Sequence, residues 1–210
     1  KSLENDEGIL LHAHAGKDGG KIADVFTLSA GLVRIYVGKT VLERCGSGGM
    51  VSFAFLRFTA WKDGENFFMS QYESRMLLDM MNLSYEEMQC WYYVIELVSI
   101  FFPKEERNEK VYRLLGCAMT VAACKNKKVS VQLLRAAGID AGSHETEREL
   151  HLSPAGMKLM QSFSDYDWGS EWGGSIKASV FKELAGYIDK FILCYGDVKM
   201  KTAGAFLIEV

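Results

Sequence analysis

Hydrophobic positions in the first third of the chain alternate with polar ones, which is the pattern of half-buried β-strands. In residues 32–37 three aliphatic side chains share one face, and Arg34 and Tyr36 share the other. Four more strands are predicted between glycine-rich or charged turns, at residues 7–14, 21–28, 50–58 and 66–72. Five short strands, with no helix long enough to cover a sheet, predict a five-stranded OB-fold β-barrel over residues 1–74.

After residue 74 the apolar residues are spaced by threes and fours, as on one face of a helix. Ser84 and Glu87 have the spacing of a capping box, and Pro103 is expected to end the helix that they begin. Ser153 followed by Pro154 is typical of another helix start. Apolar spacing predicts further helices within residues 111–122, 129–137 and 176–191. The predicted fold class is α+β, with a bundle of five or six helices in residues 75–210.

Composition and charge narrow the class of protein. The chain has 210 residues, of which 49% are hydrophobic and 24% charged, as in a folded globular protein. The formal net charge is -3, and residues 1–75 hold nine basic and nine acidic side chains, so nucleic-acid contacts would have to come from local patches. We expect no transmembrane helix, no secretory signal ahead of the first strand, and a cytoplasmic location that keeps the 5 cysteines reduced.

Three segments could suggest catalysis or metal binding. Residues 38–40 read Gly-Lys-Thr, but a phosphate loop needs a glycine where Val33 stands. His12 and His14 share a strand face without an evident third metal ligand, so a polar barrel surface is favoured. Cys45 has no evident base to activate it as a nucleophile. We therefore expect no catalytic residue, no metal and no cofactor.

A barrel that binds single-stranded DNA needs cations that follow the phosphates of the strand and aromatic rings that stack on its bases. The barrel segment and a lysine run between two predicted helices supply both types of side chain. The candidate DNA-binding residues are Lys17, Lys21, Arg34, Tyr36, Lys39, Arg44, Arg57, Lys62, Lys125, Lys127 and Lys128. The alternative for the barrel residues is a solvated surface, and for the lysine run a solvated loop.

Two further features have structural interpretations. Trp168 and Trp172 lie in a glycine-rich segment, and they either anchor it on the helical body or present a patch to a partner. Anchoring is favoured, because exposed aromatic residues are costly unless they are used. Cys117 and Cys124 are seven residues apart, which places them on one helix face and suggests core positions.

Several strings, in their order and spacing, resemble the RecO family of recombination mediators over nearly the whole chain. The barrel strings are Glu-Gly-Ile-Leu-Leu at residues 7–11 and a threonine followed four residues later by glycine at 27–31. The helical strings are residues 92–97, 108–115, the Leu-Leu-Arg-Ala-Ala-Gly of 133–138, and the tail 201–207.

The resemblance implies a non-enzymatic bacterial, nucleoid-associated protein. It implies binding of single-stranded DNA, annealing of complementary strands, and help in loading RecA, with RecR and the C-terminal tail of single-strand-binding protein as partners. Residues 139–152 lack the four cysteines of the zinc module found in many RecO proteins, so a zinc-less variant is expected. The segment between strands three and four, usually basic in the family, offers only Lys39 and Arg44.

Two other functional hypotheses stay open. The first is an adaptor of the same architecture whose barrel binds protein rather than DNA, which the neutral barrel favours. The second is a small enzyme that uses Cys45 or the histidine pair, which would require a concave site with clustered titratable groups. No such cluster is evident in the sequence.

Overall fold

The structure, a computed structural model, describes residues 3–121, 127–138, 150–168 and 175–203. These residues form two compact units. The barrel unit comprises residues 3–79 and 102–121, and the helical unit comprises residues 80–101 and the described residues from 127 onward. The fold class is α+β, as the sequence predicted.

The barrel unit contains five strands: β1 (Leu3–Ala15), β2 (Lys21–Thr27), β3 (Gly31–Val37), β4 (Ala54–Asp63) and β5 (Asn66–Met76). They close into a barrel in the order β1-β2-β3-β5-β4, and β4 pairs with β1. All neighbours are antiparallel except β3 and β5, which run parallel over three residues. The predicted OB-fold-like barrel is confirmed.

Alternation of side chains places the aliphatic residues inside the barrel. Leu10, Val25, Ile35 and Leu56 are at most 1% exposed and belong to one core cluster. The predicted fourth strand, residues 50–58, begins four residues before β4 does in the structure. Residues 50–53 precede β4, and their apolar character is explained by burial, since Phe53 is fully buried outside any strand.

A short helix that the sequence did not predict, α1 (Lys39–Cys45), joins β3 to β4. Its buried residue, Leu42, belongs to the barrel core. The hydroxyl of Tyr72, on β5, donates to the carbonyl oxygen of Gly46 just after α1 over 2.8 Å. Seven residues, about two helical turns, with a single buried residue are too few to leave a periodic pattern in the sequence.

Residues 102–108, named here the strap, return the chain to the barrel after the first long helix. The Phe102 ring packs edge-on against Phe26 of β2, with ring centroids 6.3 Å apart. The Glu105 backbone N–H donates to the carbonyl oxygen of Leu32 over 2.9 Å, at the start of β3. Gly31 has a φ of +68°, and a Cβ there would lie 1.9 Å from the Glu106 carbonyl oxygen. The strap therefore covers the β2–β3 turn.

The helix after the strap, α3 (Glu109–Val121), also belongs to the barrel unit. Its apolar side packs beside β1, where Ile9 lies on the outside of the barrel and is buried. The predicted division between residues 74 and 75 stays a prediction. The return of α3 to the barrel is a finding that the apolar pattern did not indicate.

The helical unit contains α2 (Tyr85–Phe101), α4 (Lys127–Ala136), α5 (Pro154–Ser164) and α6 (Ala178–Gly196). The capping box before α2 is confirmed: Glu87 N–H donates to Ser84 Oγ over 3.2 Å, and Ser84 N–H donates to the Glu87 carboxylate over 2.8 Å. Ser153 caps α5 by accepting from Gly156 N–H over 3.1 Å. Trp91 is fully buried in this unit. None of the described helices is both long and apolar enough to cross a membrane.

One glutamine fixes the segment after α5. The Gln132 side-chain amide donates to the carbonyl oxygens of Phe163 and Tyr166 over 3.1 and 2.7 Å. Its oxygen accepts from the Trp168 indole N–H over 2.7 Å. The interpretation of Trp168 as an anchor is confirmed, whereas Trp172 lies outside the described residues.

Candidate nucleic-acid interface

Three aromatic side chains lie side by side on the outside of the barrel. Tyr36 on β3 pairs in register with Phe68 on β5, and Phe68 pairs in register with Trp61 on β4. The Trp61 and Phe68 rings stack with centroids 5.5 Å apart and planes 19° apart, and Tyr36 meets Phe68 edge-on at 5.9 Å. All three are half-buried. We name Tyr36, Phe68 and Trp61 the aromatic row.

The sequence identified only Tyr36 among these three residues. Phe68 and Trp61 were missed because their proximity depends on the pairing of β3 with β5, which are not consecutive along the chain. The outward position of Trp61 in the alternating β4 pattern was the one available signal.

The β1–β2 turn, residues 16–20, places the backbone of Lys17 against Tyr36 and lies beside Lys39 of α1. The Tyr36 hydroxyl donates to the Lys17 carbonyl oxygen over 3.2 Å. A Cβ at Gly19 would lie 3.2 Å from Lys39 Cδ, so the Lys39 side chain runs along this turn. Lys39 Nζ lies 3.7 Å from a Glu43 carboxylate oxygen, and both side chains are more than 60% exposed, so this ion pair is weak.

Arg34 is engaged with an acid on the neighbouring strand. Its Nε and Nη2 donate to the two carboxylate oxygens of Asp24 over 2.7 and 2.9 Å. The hydrogen bonds and charge of Asp24 raise the pKa of Arg34 above its ordinary value. Arg34 therefore stays a cation, but its charge is balanced locally.

Lys62 and Lys21 also have partners within the barrel unit. Lys62 forms an ion pair with Glu105 of the strap, and its ammonium lies 4.7 Å from the centroid of the Phe67 ring. Lys21 Nζ donates to the Met50 carbonyl oxygen over 3.2 Å. These contacts tie both lysines to the fold.

Arg44 and Arg57 line an open cavity of about 660 Å³, whose other lining residues include Thr59 of β4 and Gln71 of β5. Arg44 donates to the carbonyl oxygen of Ser70. Arg57 Nε lies 3.8 Å from a Glu7 carboxylate oxygen, and the Tyr112 hydroxyl donates to the same carboxylate over 2.9 Å. Burial and the bond to Glu7 raise the pKa of Tyr112, so this phenol stays protonated.

The other predicted cations belong to the helical unit or lie outside the description. The sequence suggested that the lysine run is a loop. In the structure Lys127 and Lys128 are instead the first residues of α4. Lys125 lies outside the described residues.

Of the residues considered for chemistry, Cys45 lines the open cavity of about 660 Å³ together with Glu7, Arg44, Arg57 and Glu73. His12 and His14 stack on each other at 5.7 Å on the exposed side of β1. Within the described ranges, no group of three or more His, Cys, Asp or Glu side chains is placed to hold a metal ion. The prediction that Cys117 is a core residue is wrong, because it is exposed on α3, and Cys124 lies outside the described residues.

The chain matches no protein-family model, and no curated protein sequence matches it significantly. A function for the chain is therefore inferred from its architecture and surface chemistry. These are an OB-fold-like barrel that carries an aromatic row beside lysines, and a helical region.

Proposed function

We propose that the barrel binds single-stranded DNA and that the chain acts, without catalysis, as a RecO-like recombination mediator. The observation that carries the proposal is the aromatic row beside Lys17 of the β1–β2 turn and Lys39 of α1. Both parts of a single-strand site, rings for bases and cations for phosphates, occur together there.

The energetics favour bases as the occupants of the aromatic row. Stacking of a base on an aromatic side chain contributes about 1–3 kcal/mol, and it tolerates any base sequence. Trp61 and Phe68 already lie nearly parallel, so a base can stack on their exposed side without reordering them. Lys17 and Lys39 would add phosphate contacts, which make binding weaken as salt rises.

The mediator role rests on the resemblance to RecO together with the order of barrel and helices. In this role the barrel would hold the strand, and the helical region would bind RecR and the C-terminal tail of single-strand-binding protein, with RecA loaded indirectly. The chain would work in the bacterial cytoplasm, associated with the nucleoid. Annealing requires only that two complementary strands are brought together, so no residue would act on a covalent bond.

Annealing of complementary oligonucleotides at low salt tests the mediator role. Wild-type protein should accelerate annealing over the protein-free rate, and Trp61→Leu combined with Phe68→Leu should abolish most of the acceleration. Tyr85→Leu is the matched control, because Tyr85 is a 62% exposed aromatic residue of α2 and should leave annealing unchanged. If the wild type does not accelerate annealing even with RecR and single-strand-binding protein present, the mediator proposal fails.

The second candidate function is an adaptor whose barrel binds a protein partner. The specific observation that favours it is charge balance: Arg34, Lys39 and Lys62 each lie beside a carboxylate. Charge reversal at Arg34 and Lys39 separates the two functions only together with a DNA-binding measurement on wild-type protein. If wild-type protein has no measurable affinity for single-stranded DNA and partner binding persists after the reversal, the adaptor is the function.

A further inference from the structure

We propose that the bound strand runs along the outer face of β4 and β5, away from the β2–β3 face that OB-folds commonly use. This inference rests on the proposed function and names the path of the strand. The path begins at Trp61 and Phe68 of the aromatic row and ends at Phe55 and Arg75, at the other end of the same two strands.

The outward positions of β4 and β5 form one strip, which a β-bulge at Ser70 interrupts between the Thr59–Gln71 and Trp61–Phe68 pairs. On β4 they alternate from Phe55 to Trp61, and their cross-strand partners on β5 extend from Arg75 to Phe68. Six residues at about 3.3 Å each give a strip roughly 20 Å long. The outward residues, in paired order, are Phe55 with Arg75, Arg57 with Glu73, Thr59 with Gln71, and Trp61 with Phe68. Aromatic rings therefore stand at both ends of the strip.

The far end of the strip combines an aromatic ring with two guanidinium groups. The Arg75 guanidinium lies 5.4 Å from the Phe55 ring centroid, and that of Arg57 lies 5.9 Å from it. A guanidinium held on a ring is pre-organised and keeps its donors available for phosphate oxygens. Within the described ranges Arg75 forms no ion pair, and it is exposed. Arg75 is thus a phosphate-binding candidate that the sequence did not indicate.

The middle of the strip is a chain of neutral hydrogen-bonding groups. The Gln71 amide donates to Thr59 Oγ1 over 3.1 Å, and Thr59 Oγ1 donates to Asn5 Oδ1 over 2.7 Å. Among the described residues the Gln71 oxygen and the Asn5 amide have no hydrogen-bond partner, and Asn5, Thr59 and Gln71 all line the cavity of about 660 Å³. Neutral donors and acceptors suit base edges and sugars.

The acids that line the cavity on this face are Asp6, Glu7 and Glu73, and the Asp6 carboxylate accepts hydrogen bonds from Ser29 Oγ and the Glu7 backbone N–H. Glu7 already accepts a hydrogen bond from Tyr112 and faces Arg57, so its charge is partly balanced. Glu73 pairs in register with Arg57. The two exposed arginines, Arg57 and Arg75, therefore offset the charges of Glu7 and Glu73 locally.

The β2–β3 face offers less to a strand. The guanidinium of Arg34 is bound by Asp24. The strap covers the end of this face nearest the β2–β3 turn, with Phe102 against Phe26 and Lys104 in a β-bridge with Leu32. The open cavity, the exposed Arg75 and the stacked rings all lie on β4 and β5 instead.

Photocrosslinking of the full chain with a halogenated oligothymidine locates the strand directly. The proposed path predicts crosslinks in peptides that contain residues 54–76, at Trp61, Phe68 or Phe55. Crosslinks confined to residues 21–34 would overturn the path while leaving single-strand binding intact. Absence of saturable binding by wild-type protein would overturn the proposed function itself, and the path with it.

A matched pair of charge-neutralising variants gives a second, quantitative readout. Arg75→Gln should weaken binding of the same oligothymidine about tenfold at low salt, as expected for one charge-assisted contact. It should also reduce the slope of log affinity against log salt by about 0.7. Arg34→Gln, on the β2–β3 face, should change affinity by less than about twofold, since Asp24 already balances that charge. Equal losses in the two variants, or a larger loss in Arg34→Gln, would overturn the proposed path.

Discussion

Asp24 and Arg34 lie directly opposite each other on β2 and β3, and the guanidinium donates two hydrogen bonds to the two carboxylate oxygens. Ion pairs of this kind explain how residues 1–75 can contain nine basic side chains and yet present few that are available to phosphate. Local pairing, rather than the number of basic residues, decides which part of the surface can bind an anion.

The Asp24–Arg34 pair should contribute little to stability despite its good geometry. The Arg34 side chain is 52% exposed, and exposed ion pairs contribute about 0–1 kcal/mol. A double-mutant cycle with Asp24→Ala and Arg34→Ala, measured by urea unfolding, should give a coupling energy of about 1 kcal/mol or less, decreasing in 1 M salt. A coupling energy above about 2 kcal/mol would contradict this interpretation.

Two glycines with the same backbone conformation should respond differently to alanine. Gly31 and Gly64 have φ values of +68° and +62°, but only Gly31 faces an obstacle, the Glu106 carbonyl oxygen of the strap. Gly64→Ala should cost about 1 kcal/mol, the strain of a left-handed alanine. Gly31→Ala should cost about 3 kcal/mol or more, because the strap must also move. Similar costs for both variants in thermal or urea unfolding would show that the strap does not press on Gly31.

Gln132 should be a stabilising residue of the helical unit. Its amide satisfies the carbonyl oxygens of Phe163 and Tyr166 and accepts from Trp168. Gln132→Leu leaves these part-buried groups unsatisfied and should lower the free energy of unfolding by about 1–3 kcal/mol. Trp168→Phe removes a single hydrogen bond and serves as the milder control, with an expected loss of about 1 kcal/mol. A neutral Gln132→Leu variant would rule out this role.

Glu183 should make the stability of the helical unit depend on pH. The Ser153 hydroxyl and backbone N–H donate to its carboxylate over 2.7 and 2.6 Å, and these bonds lower the pKa of Glu183. Because the folded pKa is depressed, the stabilisation is fully present above the ordinary glutamate pKa of about 4.3 and is lost as pH falls through the lowered pKa.

Glu183→Gln tests this linkage. The variant should be less stable than wild type at neutral pH, and the difference should shrink as the pH falls below about 4.3. Urea unfolding at several pH values measures the difference. A difference that stays constant down to pH 3 would show that the Ser153–Glu183 contact carries no linkage.

The local elements could be read from the sequence because each depends on neighbouring residues. Alternation along β3, the Ser84–Glu87 capping box and the Ser153–Pro154 helix start each involve residues within a few positions of one another. The structure confirmed all three. Boundaries were less accurate where apolar residues are buried without being in a strand, as at Phe53.

The candidate site depends on residues far apart in the chain, and the sequence could not reveal it. The aromatic row requires β3 to pair with β5, and the pairing of Phe55 with Arg75 requires the register of β4 and β5. Equally, nothing local to Arg34 or Lys62 indicates that Asp24 and Glu105 will neutralise them. Strand pairing between distant residues brings the candidate surface together, and ion pairs between distant residues neutralise some of the cations predicted to belong to it.

The central claim, that the aromatic row binds single-stranded DNA, is tested most directly by fluorescence anisotropy of a labelled oligothymidine over a series of salt concentrations. Wild-type protein should bind saturably at low salt, with log affinity falling linearly against log salt. Trp61→Leu combined with Phe68→Leu should lose at least about tenfold in affinity while unfolding within a few degrees of wild type. The absence of saturable binding at low salt, or a double variant that binds as tightly as wild type, would contradict the claim.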